Sequence, residues 1–194
     1  VEDYGHYFLG SIIISEGEGH EHIIDGQQRL TTLTLLLIYT YRRLPDHDHK
    51  AQLADLIFSQ RFGERSFNLN VRERTACMEA LFSGDVFEED DQPESVTNIL
   101  RRFRDIEEHF PEECNGAALP FFADWLIENV DMVQITSYSS ADAYTIFETM
   151  NDRGLSLTPT DMLKGYLLSK ITAVERRNEA TRAWRKQVER LQDL

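Results

Sequence analysis

The hydrophobic pattern begins with short apolar runs and then changes to helical spacing. Residues 7–15 (YFLGSIIIS) are β-branched and aromatic, and a Gly/Glu tract separates them from a second short run at 22–24 (HII). Two such runs predict a β-hairpin with a loose loop. From residue 29 to 44 the chain is rich in leucine, and Leu30, Leu33, Leu37 and Tyr41 share one face, which predicts a helix.

The rest of the pattern predicts a mostly helical chain. The breaks fall at Pro45 with the polar run 46–49 (DHDH) and at the acid-rich stretch 85–94. Apolar spacing between these breaks predicts helices over 51–62, 72–82, 95–110, 120–129 and 141–151, and strands over 66–71 and 132–138. A threonine cap followed by proline at 158–161 (TPTD) opens one more helix. The fold class predicted is α+β, with a small sheet built on the hairpin.

Charge and length narrow the function. The 194 residues suit one domain, and 20 basic against 34 acidic residues give a net charge of −14. A surface this acidic repels the phosphate backbone, so direct DNA binding by this chain is not expected. No apolar run approaches the roughly 18 residues of a membrane helix. The only two cysteines of the sequence, Cys77 and Cys114, have no paired spacing, which excludes a disulfide framework and a zinc ribbon. We expect a cytoplasmic protein without a membrane partner. Because the chain starts at Val1 and stops inside a charged helical pattern, we also expect a fragment of a longer protein.

The turn at 25–29 (DGQQR) is the most informative stretch. A strand ends there, glycine turns the chain and a helix begins, so backbone N–H groups and the helix dipole favour an anion. Gly26 leaves room for close approach, Gln27 and Gln28 are neutral donors, and Arg29 can place two hydrogen bonds on one phosphate. Asp25 could hold Mg²⁺ or a water. Alternatively, Asp25 is only a helix cap and Arg29 forms a surface ion pair.

A second segment, 146–164 (IFETMNDRGLSLTPTDMLK), predicts a helix, a polar turn and a capped helix. Asn151 and Gly154 suit a left-handed helix end, and Arg153 projects from the turn. A purely structural helix-loop-helix corner explains these residues equally well.

Three motifs in this order resemble one family. The runs YFLGSIIIS, IIDGQQRLTTLTLLL and FETMNDRGLSLTPTDMLKGYLLS resemble the DGQQR-motif domain at the N-terminus of GmrSD-type restriction enzymes, over roughly residues 4 to 170. The resemblance implies a ParB/sulfiredoxin-like core, with residues 45–129 as a helical insert, 130–170 carrying the strand and second motif, and 171–194 leading to an absent domain. The opening segment and the nuclease domain typical of the family are absent from this sequence.

The resemblance also implies a function. It implies that the domain binds a nucleoside triphosphate with Mg²⁺ and hydrolyses it as an NTPase. This activity would control a separate C-terminal HNH-type nuclease domain or partner subunit in phage defence. Asp25 and Arg29 are the implied catalytic residues. The implied phosphate-binding residues are Gly26, Gln27, Gln28, Arg29, Asn151, Arg153 and Gly154.

Other functions and sites remain open. A non-catalytic interaction module with a structural DGQQR turn is the main alternative, and a ParB-like nuclease is a weaker one. The pairs His20/His22 and His47/His49 have no third ligand at a diagnostic spacing, so no metal site is predicted. Arg101, Arg102 and Arg104 alternate with acids, which favours a solvated helix face.

Overall fold

The computed structural model describes residues 5–17, 20–45, 47–61, 64–69 and 71–151, together with a few single positions between 167 and 187. In chain order the strands and helices are β1 (Tyr7–Gly17), β2 (His20–Asp25), α1 (Gln27–Arg43), α2 (His47–Ile57), β3 (Phe58–Arg61), β4 (Glu64–Phe67), α3 (Thr75–Ser83), α4 (Glu94–His109), α5 (Leu119–Glu128), β5 (Val130–Ser137) and α6 (Ser140–Asn151). Single 3₁₀ turns lie at Arg72–Arg74, Glu112–Cys114 and Gly116–Ala118.

The chain divides into two compact units, each made of two chain segments. The helical unit consists of Val1–Gly10 and Gln27–Met132, and the sheet unit of Ser11–Gly26 and Val133–Leu194. The boundary within the DGQQR turn falls between Gly26 and Gln27. One domain over residues 1–194 stays a prediction.

Helix α1 is the centre of the helical unit, because α2, α3, α4 and α5 all pack against it. Its residues Leu35 and Ile38 are fully buried, and Tyr39 meets the rings of Phe103 and Phe110 at centroid distances of 6.3 and 4.8 Å. Apolar burial and edge-on ring contacts of this kind supply most of the free energy that holds helices together. The core therefore fixes α1, and with it the residues of its first turn.

The sheet unit is built on the hairpin. Strands run in the order β2-β1-β5, and β1 pairs antiparallel with β2. Ile14 lies opposite Ile23, but Ile13 lies opposite Asp25, so β2 carries one extra residue at Ile24. This β-bulge changes the direction of the strand immediately before the turn, as bulges commonly do beside functional sites.

Most predicted elements are present. The α+β class, the hairpin and the long first helix are confirmed, as are helices near 95–110, 120–129 and 141–151 and the strand near 132–138. The ParB/sulfiredoxin-like relationship stays a prediction. The helix predicted to open at 158–161 falls outside the described residues.

The region from 46 to 71 was predicted wrongly in three places. The run 46–49 was expected to be a loop, but α2 already begins at His47. The helix expected over 51–62 ends at Ile57, and the strand expected over 66–71 is instead β4, paired with β3. The reason is tertiary: Phe58 and Phe67 are cross-strand partners, their ring centroids are 4.5 Å apart, and both are buried in the core.

Candidate functional site

The DGQQR turn joins β2 to α1, as the sequence predicted. Asp25 is the last residue of β2 and is half-buried, and Gly26 links it to the first helical residue, Gln27. In the sheet unit Gly26 is buried with φ +94°, and a Cβ placed on it would lie 2.5 Å from Cγ2 of Ile12. Glycine is thus required here by backbone conformation and by packing on β1. The sequence pattern gave no sign of the contact with Ile12.

The first turn of α1 opens onto a polar cavity in the helical unit. This cavity has a volume of about 290 Å³. From α1 it is lined by Gln27, Gln28, Thr31 and Thr32. Gln27 and Gln28 are both exposed to solvent. Gln27 and Gln28, two residues of the predicted site, therefore line one cavity together with Thr31 and Thr32.

Three arginines complete the lining of the cavity. Arg74 comes from the 3₁₀ turn Arg72–Arg74, and Arg101 and Arg102 come from α4, next to Ser95 and Asn98. One acid, Asp105, also lines the cavity, and its carboxylate lies 3.3 Å from Nη1 of Arg102. The lining is therefore net positive in a chain of charge −14. Arg101 and Arg102 are exposed, as expected of a solvated face, but the sequence did not reveal that they meet Gln27 and Gln28.

Arg74 has one buried nitrogen, Nε, without a hydrogen-bond partner in the part of the chain that the structure describes. A buried donor without a partner costs about 1–3 kcal/mol. In folded proteins such a donor is usually satisfied by a water, an ion or a ligand, so Arg74 is a candidate ligand contact of the cavity.

Arg29 lies on a different face of α1 and does not line the cavity. It is half-buried, and its guanidinium packs over the backbone of Gly10 in β1. Gln27 and Gln28 thus line one cavity with Arg74, Arg101 and Arg102, whereas Arg29 lies against Gly10 of β1. The implied roles of Asp25 and Arg29 stay predictions.

The second motif is described only at its start. Asn151 is the last residue of α6, whereas Arg153 and Gly154 lie outside the described residues. The expected contacts of these three residues with nucleotide phosphates therefore stay predictions.

No group of three or more His, Cys, Asp or Glu side chains suited to a metal ion lies among the described residues. His49 is paired with Asp124 of α5, with its Nε2 3.2 Å from the carboxylate. Among the described helices, none is both long enough and apolar enough to cross a bilayer.

Comparison with known families decides the identification. The family described as the GmrSD restriction endonuclease, N-terminal domain, matches residues 1–168. The chain belongs to this family. The resemblance seen in the three motifs is therefore confirmed, and the GmrSD N-terminal domain places the chain in a restriction-enzyme context with a C-terminal nuclease partner domain. No curated protein is significantly similar to the chain.

Proposed function

We propose that this GmrSD N-terminal domain binds and hydrolyses a nucleoside triphosphate with Mg²⁺ and thereby controls a separate HNH-type nuclease domain in phage defence. The observation that carries the proposal is the polar cavity of the helical unit. Gln27 and Gln28 of the family motif line it together with Arg74, Arg101 and Arg102.

Electrostatics support a phosphate ligand at this cavity. Three arginines and one aspartate line it, while the chain as a whole is strongly acidic. Arginine binds phosphate through paired, charge-assisted hydrogen bonds, and the N-terminus of α1 adds the positive end of its dipole. A ligand with several phosphate charges gains most from such a lining.

Mg²⁺ is assigned to the turn in this proposal. Mg²⁺ in nucleotide sites is held by one or two carboxylates together with substrate phosphates and water, so a single acid is sufficient. Asp25, at the end of β2, is that acid in our proposal, and it precedes Gln27 by two positions in the chain. When bound, the ion would neutralise phosphate charge, and Asp25 would hold the ion or orient a water.

Further family residues belong to the same proposal. The backbone N–H of Gly26 would donate to a phosphate, and Asn151, Arg153 and Gly154 would contribute from the second motif. Arg29 would neutralise charge that develops on the transferred phosphoryl group. Its contact with Gly10 supports a second contribution, which is to hold the start of α1 against β1.

Titration of the 194-residue chain with the four ribonucleoside triphosphates and Mg²⁺ tests the proposal, with binding followed by calorimetry and thermal melting. We expect stabilisation of about 2.7 kcal/mol at a ligand concentration of 100 times the Kd. Arg101→Ala should weaken binding by about tenfold or more, since a hydrogen bond to a charged group contributes roughly 1.5–3 kcal/mol. Arg72→Ala is the control, because Arg72 is exposed and does not line the cavity.

The outcomes separate the two functions considered. If none of the triphosphates binds or raises the melting temperature, the proposal fails and a non-catalytic interaction module is favoured. Release of phosphate by the wild-type chain that is lost in Asp25→Asn and in Arg29→Ala supports hydrolysis. Binding without any phosphate release would leave a nucleotide sensor in place of an NTPase.

A further inference from the structure

A second and larger groove lies beside the polar cavity in the helical unit. It has a volume of about 650 Å³, and its walls are mainly apolar. The residues that matter here are Leu36 of α1, Ile106 of α4, Phe110 and Pro111 after α4, and Phe122 of α5.

The groove and the cavity are neighbours that share three lining residues. Thr32, Arg102 and Asp105 line both of them, so the Arg102–Asp105 ion pair marks the border between a cationic half and an apolar half. Their volumes together lie within the roughly 300–1,000 Å³ of small-molecule sites. One ligand with an anionic end and an apolar end would occupy both.

The apolar half offers aromatic surface on a rigid support. The rings of Phe110 and Phe122 are 5.1 Å apart at their centroids and perpendicular. Phe110 also packs against Tyr39, which is 2% exposed and belongs to the core. Both phenylalanines are half-buried, so part of each ring is open to the groove. Aromatic surface of this kind stacks with nucleobases without requiring a particular base.

We propose that this groove holds the base of the nucleotide whose phosphates occupy the polar cavity. The inference rests on the proposed function and extends it. The domain recognises a whole nucleoside triphosphate, with Phe122 and Phe110 as the base platform, rather than a polyphosphate alone. Neither phenylalanine belongs to the DGQQR motif, and α5 thereby becomes part of the site.

Calorimetric titration of Mg²⁺–ATP, Mg²⁺–GTP and inorganic tripolyphosphate against the 194-residue chain tests this. We expect each nucleotide to bind about tenfold or more tightly than tripolyphosphate, because stacking of a base contributes roughly a factor of ten. Phe122→Ala should remove that advantage and leave tripolyphosphate binding unchanged. Phe121→Ala is the matched control, since its neighbour Phe121 is 65% exposed and does not line the groove.

Phe122→Leu keeps an apolar side chain against Phe110 and removes only the aromatic face, so it serves if the alanine variant does not fold. We expect nucleotide binding to weaken in Phe122→Leu as well. Tripolyphosphate binding as tightly as both nucleotides would overturn the base groove while leaving the phosphate site intact. An equal loss for nucleotide and tripolyphosphate in both Phe122 variants would also overturn it. If neither ligand class binds to the wild type, the proposed function itself fails and the base groove fails with it.

Discussion

The guanidinium of Arg29 rests on the backbone of Gly10. A Cβ built on Gly10 would lie 2.5 Å from Nη1 of Arg29, and Gly10 has φ +113° in the middle of β1. A side chain at this position would displace the arginine and strain the strand. The position of Arg29 therefore depends on a glycine in the first strand, β1.

Gly10→Ala should lower the free energy of unfolding by about 2–3 kcal/mol, from the positive φ and from the displaced guanidinium. In an Arg29→Ala background the same substitution should cost about 1 kcal/mol less, because only the backbone strain remains. Denaturant unfolding of the four proteins of this double-mutant cycle gives the coupling. An equal loss in the free energy of unfolding in both backgrounds would show that Arg29 and Gly10 are not energetically coupled.

Gly116→Ala is the control for backbone strain alone. Gly116 has φ +60°, and a Cβ there would meet nothing within 4 Å. We expect a cost of about 1 kcal/mol, which is the ordinary penalty of a left-handed alanine. A cost as large as that of Gly10→Ala would mean that the contact with Arg29 adds nothing.

Gly26→Ala should be the most damaging of the three glycine variants. The Cβ would lie 2.5 Å from Cγ2 and 3.3 Å from Cα of Ile12, and neither a branched buried side chain nor backbone can move aside as an arginine tip can. Overpacking and positive φ together predict a loss of about 3–4 kcal/mol in the free energy of unfolding. Urea denaturation followed by circular dichroism measures it. A loss below 1 kcal/mol would show that β1 yields at this position.

The two cysteines should differ sharply in reactivity. Cys77 is fully buried in α3, and burial, with a smaller contribution from the charge of Glu89, raises the pKa of its thiol to about 11. Cys114 is half-buried. At pH 8 about one Cys77 thiol in a thousand is ionised, and only the thiolate reacts. A thiol reagent should therefore label one cysteine in the native chain and two after denaturation, as counted by mass spectrometry.

The same thiol predicts a pH dependence of stability. The pKa of Cys77 is higher in the folded chain than the ordinary value, so between about pH 8.5 and pH 11 the unfolded chain ionises first. The contribution of Cys77 to stability is complete below this window and decreases as the pH rises through it. The stability difference between wild type and Cys77→Ala should change in that direction from pH 8 to pH 10.5. A difference that stays constant would contradict the shift.

Local sequence patterns correctly predicted those elements of the fold that depend mainly on local sequence. The hairpin, the leucine-rich helix and the DGQQR turn follow from alternation, helical spacing and glycine, and all three are present. The prediction for residues 58–67 was wrong because the two strands there depend on the pairing of Phe58 with Phe67 and on burial in the core. Local spacing of residues does not reveal such contacts. The bulge at Ile24 escaped prediction for the same reason.

The site could be predicted only in its local half. Gln27 and Gln28 follow from a strand-to-helix turn and reach a cavity. Three arginines of the site, Arg74, Arg101 and Arg102, lie far from the DGQQR motif in the sequence. The mixed charges of α4 are typical of a solvated helix and gave no sign of a site. The packing of α4 against α1, and of the 3₁₀ turn Arg72–Arg74 against α4, brings these arginines to the motif.

Arg74→Met should separate stability from ligand binding. The buried Nε of Arg74 lacks a hydrogen-bond partner among the described residues, so a side chain of similar length without charge removes an unsatisfied donor. We expect the free energy of unfolding of the ligand-free chain to rise by about 0.5–1 kcal/mol and the affinity for Mg²⁺–ATP or tripolyphosphate to fall by about tenfold. Arg72→Met, on the same turn, should change neither quantity by much. Denaturant unfolding without ligand and calorimetry with it supply the two numbers. A variant that loses stability and keeps full affinity would show that Arg74 serves the fold and not the anion.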